Sequence, residues 1–243
     1  MKQGNDDGAE SDRKRARSSG DSGKYLNRAP MATSNIHQLI AVPIFSKTQF
    51  KIMIYILKGS KAVTRTPIMT LAGHKEGISG VTWLGSKTEV CSASWDHTIK
   101  IWDTELGGMK QELVGNKSFF DVAYSDQSKL LITAAAERTL RLYDPRSKDG
   151  TLVKSAYTSH TGWVTCCDWR GDDNGIQFVS GSHDNILKMW DLRSFKTPLF
   201  DLSGHTDRIL CCDWSCGKYV ISGGADNDMK IFKTSELVSA GNN

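Results

Sequence analysis

A histidine, a serine and an aspartate within reach of one another are the parts of an acyl-transfer catalyst. His74, Ser92 and Asp96 could make such a set, with Trp102 as a further hydrogen-bond donor. An enzyme needs one constellation in one cleft, but here the set recurs. His160, Ser180, Asp184 and Trp190 rebuild it, and His205, Ser222 and Asp226 rebuild all of it except the tryptophan. Repetition points to a strut rather than a catalyst, because buried polar groups are tolerated only when paired and a lost partner costs about 1–3 kcal/mol. The sequence offers no phosphate-cradling glycine motif, metal-ligand cluster or unique nucleophile–base pair, so neither an enzyme nor a cofactor is expected.

The elements that must position these residues are clearest from Cys91 to Asp103, C-S-A-S-W-D-H-T-I-K-I-W-D. Glu89 to Ser94 predicts a strand of small and polar residues, Trp95-Asp96-His97 a tight turn, and Thr98 to Trp102 a second strand with Ile99 and Ile101 on one face. Three later stretches follow the same pattern. The second is degenerate, with Gly115-Asn116 in place of Gly-His, Thr133 for the serine, Glu137 for the turn aspartate and Tyr143-Asp144 for Trp-Asp. In the fourth, Phe232-Lys233 stands for Trp-Asp. The histidine-type positions 74, 116, 160 and 205 recur at the period of a four-stranded propeller blade.

On these motifs the chain resembles the WD-repeat proteins, and the expected fold is all-β, a WD-repeat β-propeller of about four blades. The repeats are placed at about 71–103, 113–144, 158–191 and 202–233, within a repeat region 64–234. In that family the His-Ser-Asp-Trp tetrad is structural, which implies the same for His74, Ser92, Asp96 and Trp102 and their later copies. The positions three after each histidine-type residue lie on the top face of such propellers; here they are Gly77, Phe119, Trp163 and Arg208, joined by the hairpin-turn residues Trp95 and His183. Trp and Arg are enriched in binding hot spots, so Trp95, Phe119, Trp163, His183 and Arg208 are partner-contact candidates, the alternative being that the aromatics fill the inner rim.

The resemblance narrows at Thr64–His74 (T-R-T-P-I-M-T-L-A-G-H), Cys91–Asp103, Leu142–Gly150, Thr158–Thr165 and Ser222–Asn227. These stretches are similar to the family of WD-repeat factors that form a complex with pescadillo and the block-of-proliferation protein in large ribosomal subunit assembly. The likeness implies a nucleolar and nucleoplasmic scaffold for precursor rRNA processing, whose partners are those two proteins and the pre-ribosomal particle. Family members begin with a ubiquitin-like domain that engages an AAA ATPase and carry seven repeats. With neither that domain nor three of the repeats in this sequence, the expectation is an incomplete arc of a seven-bladed ring and no secure ATPase contact. A generic WD-repeat adaptor or substrate receptor is the competing reading.

Outside the repeats, residues 1–35 hold almost no apolar side chains and are expected to be a disordered basic leader. Arg13, Lys14, Arg15 and Arg17 there read as a nuclear import signal or as a solvated charge run. Residues 36–63 are apolar but too interrupted for a membrane helix, so no membrane contact is expected. Within them Phe50–Leu57 predicts a strand, and either it or Pro67–Leu71 is expected to supply an outer strand to the last repeat. Pro67–Leu71 is also expected on the blade before His74. Residues 235–243 form a short tail.

The net charge of +4 is uneven: residues 1–70 hold 12 Lys and Arg against 5 acids, leaving the repeat region mildly acidic. That disfavours a nucleic-acid-binding body, although Arg138, Arg141, Arg146 and Lys148 could form one local basic patch. Four of the six cysteines form the adjacent pairs Cys166-Cys167 and Cys211-Cys212. Their spacing suits no zinc site, and reduced structural thiols are expected, one of each pair facing inward and one outward.

Overall fold

The computed structural model describes residues 38–45, 50–58, 62–63, 67–85, 88–147, 153–171, 175–194 and 196–234. The leader with its basic cluster, Lys148 and the tail 235–243 lie outside the described residues.

The described elements are strands, arranged as successive antiparallel sheets of an incomplete WD β-propeller. The first sheet is a hairpin of β1 (Gln38–Phe45) and β2 (Phe50–Lys58), with β3 (Ala62–Val63) and β4 (Met69–His74) both paired to β2. The second runs β5 (Ile78–Leu84), β6 (Glu89–Ser94), β7 (Thr98–Asp103) and β8 (Gly108–Val114) in chain order. The third runs β9 (Phe119–Ser125), β10 (Leu130–Ala135), β11 (Thr139–Tyr143) and β12 (Val153–Thr158). The fourth is β13 (Val164–Trp169), β14 (Gln177–Ser182), β15 (Leu187–Asp191) and β16 (Phe200–Leu202). The fifth has three described strands, β17 (Ile209–Asp213), β18 (Tyr219–Gly224) and β19 (Met229–Lys233). Inner strands pack on one another along the series, β5 on β9, β9 on β13 and β13 on β17.

These sequences form blades because the inner hairpins are largely apolar or small on both faces, with Lys100 and Lys188 as buried exceptions, as strands sandwiched between two sheets require. Ile99 and Ile101 on β7 join Cys91 and Ala93 on β6 against Phe119, Val122 and Leu131 of the next sheet. Leu140 and Leu142 do the same toward Cys167, Phe178 and Trp190, and Leu187 and Met189 toward Ile209, Trp214 and Val220. Small residues on the middle strand let the next blade close in. A Cβ on Gly181 would sit 2.6 Å from both Cys166 Sγ and Ile209 Cγ2.

Two expectations need correction. Phe50–Leu57 is a strand, but it pairs with β1, β3 and β4 and gives no outer strand to the last sheet, nor does Pro67–Leu71. β4 lies on the sheet ahead of the first repeat, where Ile52, Ile54 and Leu71 face Ile78, Val90 and Trp102. The apolar stretch ahead of the repeats therefore contributes strands to a further blade-like sheet. The inward–outward reading of the cysteine pairs holds for Cys211 and Cys212, of which the first is exposed and the second packs on the core, but not for the other pair. Cys166 and Cys167 are both buried, because a blade has a neighbour on each side: Cys167 packs toward the sheet before it and Cys166 toward the sheet after it. No helix among the described residues is long and apolar enough to cross a membrane.

Candidate functional site

Each tetrad spans the loop that opens a repeat and the hairpin that follows. His74 Nδ1–H donates to Asp96 Oδ2 at 2.9 Å, and His74 Nε2 accepts from Ser92 Oγ–H at 2.7 Å. Ser92 Oγ in turn accepts from Trp102 Nε1–H at 2.8 Å. Asp96 also caps its own turn, taking Thr98 N–H at 3.0 Å and Thr98 Oγ1–H at 2.6 Å, and it holds the opening loop through Lys75 N–H at 2.9 Å. In the third repeat His160 bonds Asp184 and Ser180, both at 2.8 Å, and Trp190 donates to Ser180 at 2.8 Å. In the fourth, His205 bonds Asp226 and Ser222, both at 2.8 Å.

Burial pushes the His74 pKa down, against the pull of Asp96, so the ring is neutral and the proton belongs on the nitrogen facing the carboxylate. Burial opposes the charge on Asp96, but Thr98, the Lys75 N–H and His74 outweigh it and bring the carboxyl down to about 2. The hydrogen-bond order is that of a catalytic triad, yet the serine is no nucleophile for a substrate in solution. Ser92 and Ser180 are 0% exposed, and each oxygen already accepts an indole N–H.

The hairpin turns carry the second set of residues. His97, Asn185 and Asn227 take left-handed backbone with φ of 66°, 68° and 65°, each one residue after the capping aspartate. The turns hold Trp95 and His183 at one rim of the blades. Trp95 N–H donates to Gly77 O at 2.9 Å and His183 N–H to Trp163 O at 2.9 Å, fixing turn to loop. Trp95 and Trp163 are each about half exposed. The Trp163 ring lies 5.5 Å from His183 and 6.2 Å from Phe120, measured between centroids. Arg208 is exposed and close enough to His183 to help lower its pKa, after burial.

Phe119 is a correction: it is 2% exposed, in the core between the second and third sheets. The opening loop of the second repeat is one residue shorter than the others, so counting three from Asn116 lands inside β9. Ser118 makes the bond equivalent to those of Gly77, Trp163 and Arg208, its carbonyl taking Ala136 N–H at 2.9 Å. The rim aromatic that sequence reasoning missed is Phe120. Each inner strand carries a one-residue bulge, at Ser79, Phe120, Thr165 and Leu210, which re-aims that side chain. A doubled aromatic at the start of a strand was the only sign.

Beside Trp163 lies a cavity of about 590 Å3, lined also by His97, Asn116, Lys117, Ser118, Ala136, Glu137 and Arg138. A smaller one of about 260 Å3 on the inner strands is lined by Asp121, Asp168 and Asp213 among others. Asp121 Oδ2 accepts from Cys167 N–H at 3.1 Å and Asp168 Oδ2 from Trp214 N–H at 2.7 Å, tying each blade to the next. Burial pushes Asp121 up to about 6 against the N–H donors of Cys167 and Val122, with Asp168 adding to the rise. Burial raises Asp168 to about 6 as well, against the Trp214 N–H. The expected basic patch is largely self-neutralised: Arg141 forks onto Glu137 at 2.7 and 2.9 Å, and Arg146 onto Asp144 at 2.9 and 2.8 Å. Among the described residues, no group of three or more His, Cys, Asp or Glu is arranged to hold a metal ion.

The sequence matches the family described as WD domain, G-beta repeat over residues 65–103, 107–144, 150–191 and 196–233. It is 53% identical over 173 residues to the Ribosome biogenesis protein WDR12 homolog of Ixodes scapularis, a match covering 71% of this chain and 40% of that protein. The homologues so named from Anopheles gambiae and Culex quinquefasciatus are 53% and 55% identical over 170 residues, 70% of this chain and 39% and 40% of theirs. The chain thus spans about two fifths of the length of these curated relatives.

Proposed function

The chain belongs to the WD domain, G-beta repeat family, and on that premise we propose that it is a non-enzymatic interaction scaffold in ribosome biogenesis. The relatives' names support the process, at about half identity over 70% of the chain. The observation that carries the scaffold reading is the rim, where Trp95 and Trp163 stand half exposed on hairpin turns and loops that the tetrads hold rigid. In this reading the tetrads of His74, His160 and His205 are struts. Their serines are buried, and those of the first and third repeats are saturated, which supports a structural role over a catalytic one.

The finer assignment is to large-subunit assembly: a scaffold in 60S pre-ribosomal particles that serves precursor rRNA processing in the nucleus, nucleolus and nucleoplasm. Its partners are pescadillo and the block-of-proliferation protein, as the resemblance of Thr64–His74 and Cys91–Asp103 implies. Trp95, Trp163, His183 and Arg208 are the contact residues. Contact with the particle runs through protein, since the fork-paired arginines and the acidic inner strands suit phosphate poorly.

Affinity capture of the full chain from nuclear extract tests this. Recovery of pescadillo, the block-of-proliferation protein and large-subunit precursor rRNA is expected, and Trp163→Ala should reduce it several-fold with the folding midpoint unchanged. Recovery of ubiquitin-ligase subunits without pre-ribosomal RNA would replace the reading with a generic adaptor.

A further inference from the structure

The second repeat lacks a tetrad, and what it leaves open differs from a packing defect. In the other three repeats the turn aspartate fills the space behind the opening loop. Its Oδ2 takes the N–H of the residue after the histidine: Lys75 at 2.9 Å, Thr161 at 2.9 Å and Thr206 at 3.0 Å. In the second repeat the sequence counterpart of that aspartate is Glu137, which lines the cavity but has its carboxylate bonded to Arg141 and not to the opening loop. Arg141 holds both of its oxygens, from the strand position that Lys100 and Lys188 occupy in neighbouring blades. Arg138, which follows Glu137, does not adopt the left-handed backbone of His97, Asn185 and Asn227, so this turn has a different shape.

The donors that would meet a carboxylate are still present. Asn116 stands for the histidine and Lys117 follows it, and both line the cavity of about 590 Å3 beside Trp163. Among the described residues, neither the Asn116 amide nor the Lys117 N–H donates to a neighbour. Among the described residues, the exposed cations of Lys117 and Arg138 flank the opening without a carboxylate partner, because the acid in the cavity lining, Glu137, is spent on Arg141. Trp163 supplies an apolar wall.

We infer that this gap is a receptor for a carboxylate from outside the chain, an aspartate or glutamate side chain on a partner protein's loop. It takes the place that Asp96, Asp184 and Asp226 fill internally. The incoming oxygen accepts from Lys117 N–H, the second oxygen meets Arg138 or the Asn116 amide, and the side chain's methylenes lie along Trp163. Charge complementarity selects the occupant: two unpaired cations with free amide donors favour an acidic group and reject a basic or neutral one. The inference deepens the reading that this rim meets a partner protein, and names what the partner inserts.

Titrating the isotope-labelled full chain with N-acetyl-aspartate N-methylamide, followed by amide NMR, tests it. A saturable shift is expected at Lys117 and around the Trp163 indole, with little at Lys75, Thr161 and Thr206, whose carboxylates are built in. The asparagine analogue of the probe should bind about tenfold more weakly, and Lys117→Glu with Arg138→Glu should remove saturation. Equal shifts at all four loops, or none at Lys117, would overturn the inference. Asn116→Asp gives an independent check, since a carboxylate placed at the mouth should abolish probe binding without moving the folding midpoint. Partner capture keeps the two readings apart. If Trp163→Ala releases the partner and Lys117→Glu/Arg138→Glu does not, the rim reading stands and the carboxylate receptor falls. If neither variant affects capture, the rim reading falls and the probe titration alone decides the receptor.

Discussion

The fourth and fifth sheets are built from nearly the same pattern and meet opposite fates. On β15, Leu187 and Met189 are 0% and 3% exposed; at the same register positions on β19, Met229 and Ile231 are 68% and 59% exposed. Cys166 is buried where its counterpart Cys211 is exposed, while Cys167 and Cys212, which face backward, both pack against a neighbour. Lys188 pairs with Asp201 across to an outer strand at 2.8 Å, and Lys230, with no such strand among the described residues, turns to Asp228 at 2.8 Å. The strands are interchangeable in sequence character, so burial here is a property of the interface and comes from whichever sheet stands on the far side.

The largest expected effect follows from truncating the two strands in turn. Leu187→Ala should cost about 2–5 kcal/mol, whereas Met229→Ala should stay within about 0.5 kcal/mol. Equal losses in urea denaturation would mean that the β19 face is covered in solution and the contrast is false. Charge sharpens the same point, since Met229→Lys with Ile231→Glu should leave the midpoint nearly unchanged while Leu187→Lys should prevent folding. Circular dichroism of the purified chains reads both.

The tetrads give a middle-sized effect. Ser180→Ala strips Trp190 and His160 of their shared partner and should cost about 1–3 kcal/mol. Ser222→Ala removes only the His205 bond, because Phe232 carries no side-chain N–H, and should cost less. Thermal melts that rank the two the other way would show that the indole bond adds nothing.

The smallest effect is the pH dependence of the joint between the fourth and fifth sheets. Asp168 has its folded-state pKa raised from 3.8 to about 6, so the folded chain holds that proton more tightly than the unfolded one. Its contribution is fully present below 3.8 and is lost as pH rises through about 6. Asp96 runs the other way, contributing stability above 3.8 that is lost as pH falls through about 2. Stability profiles of the native chain and Asp168→Asn should therefore differ in slope between about pH 4 and 6, and parallel profiles would contradict the shift.

Much of this architecture was legible because it is local and repeated. Small residues, a turn acid and an alternating strand recur, and the four hairpins and the grouping of His74 with Ser92, Asp96 and Trp102 follow from spacing. What escaped depends on single-residue insertions and on contacts between distant segments. One deletion in the loop after Asn116 moved Phe119 from rim to core, and one bulge in each inner strand moved Phe120 the other way. The pairing of β2 with β1 and β4 joins a hairpin that carries no repeat motif to the opening strand of the first repeat, a contact that the repeat spacing does not record. The vacancy behind Lys117 depends on Glu137 choosing Arg141, a choice between neighbours that no periodicity records.

The placement of β4 one sheet ahead of its own repeat has a mechanical consequence. Each sequence repeat starts as the outer strand of one sheet and continues as the inner strands of the next, as β8, β12 and β16 also do. The covalent chain therefore enters the loop at every described blade boundary from a strand paired in the sheet before, stitching neighbours together like overlapping laths. Pulling the ends of the chain cannot separate adjacent blades along their apolar faces until an outer strand has first been peeled from its sheet. Under tension the array should yield in steps of one repeat, each beginning with the same peeling event.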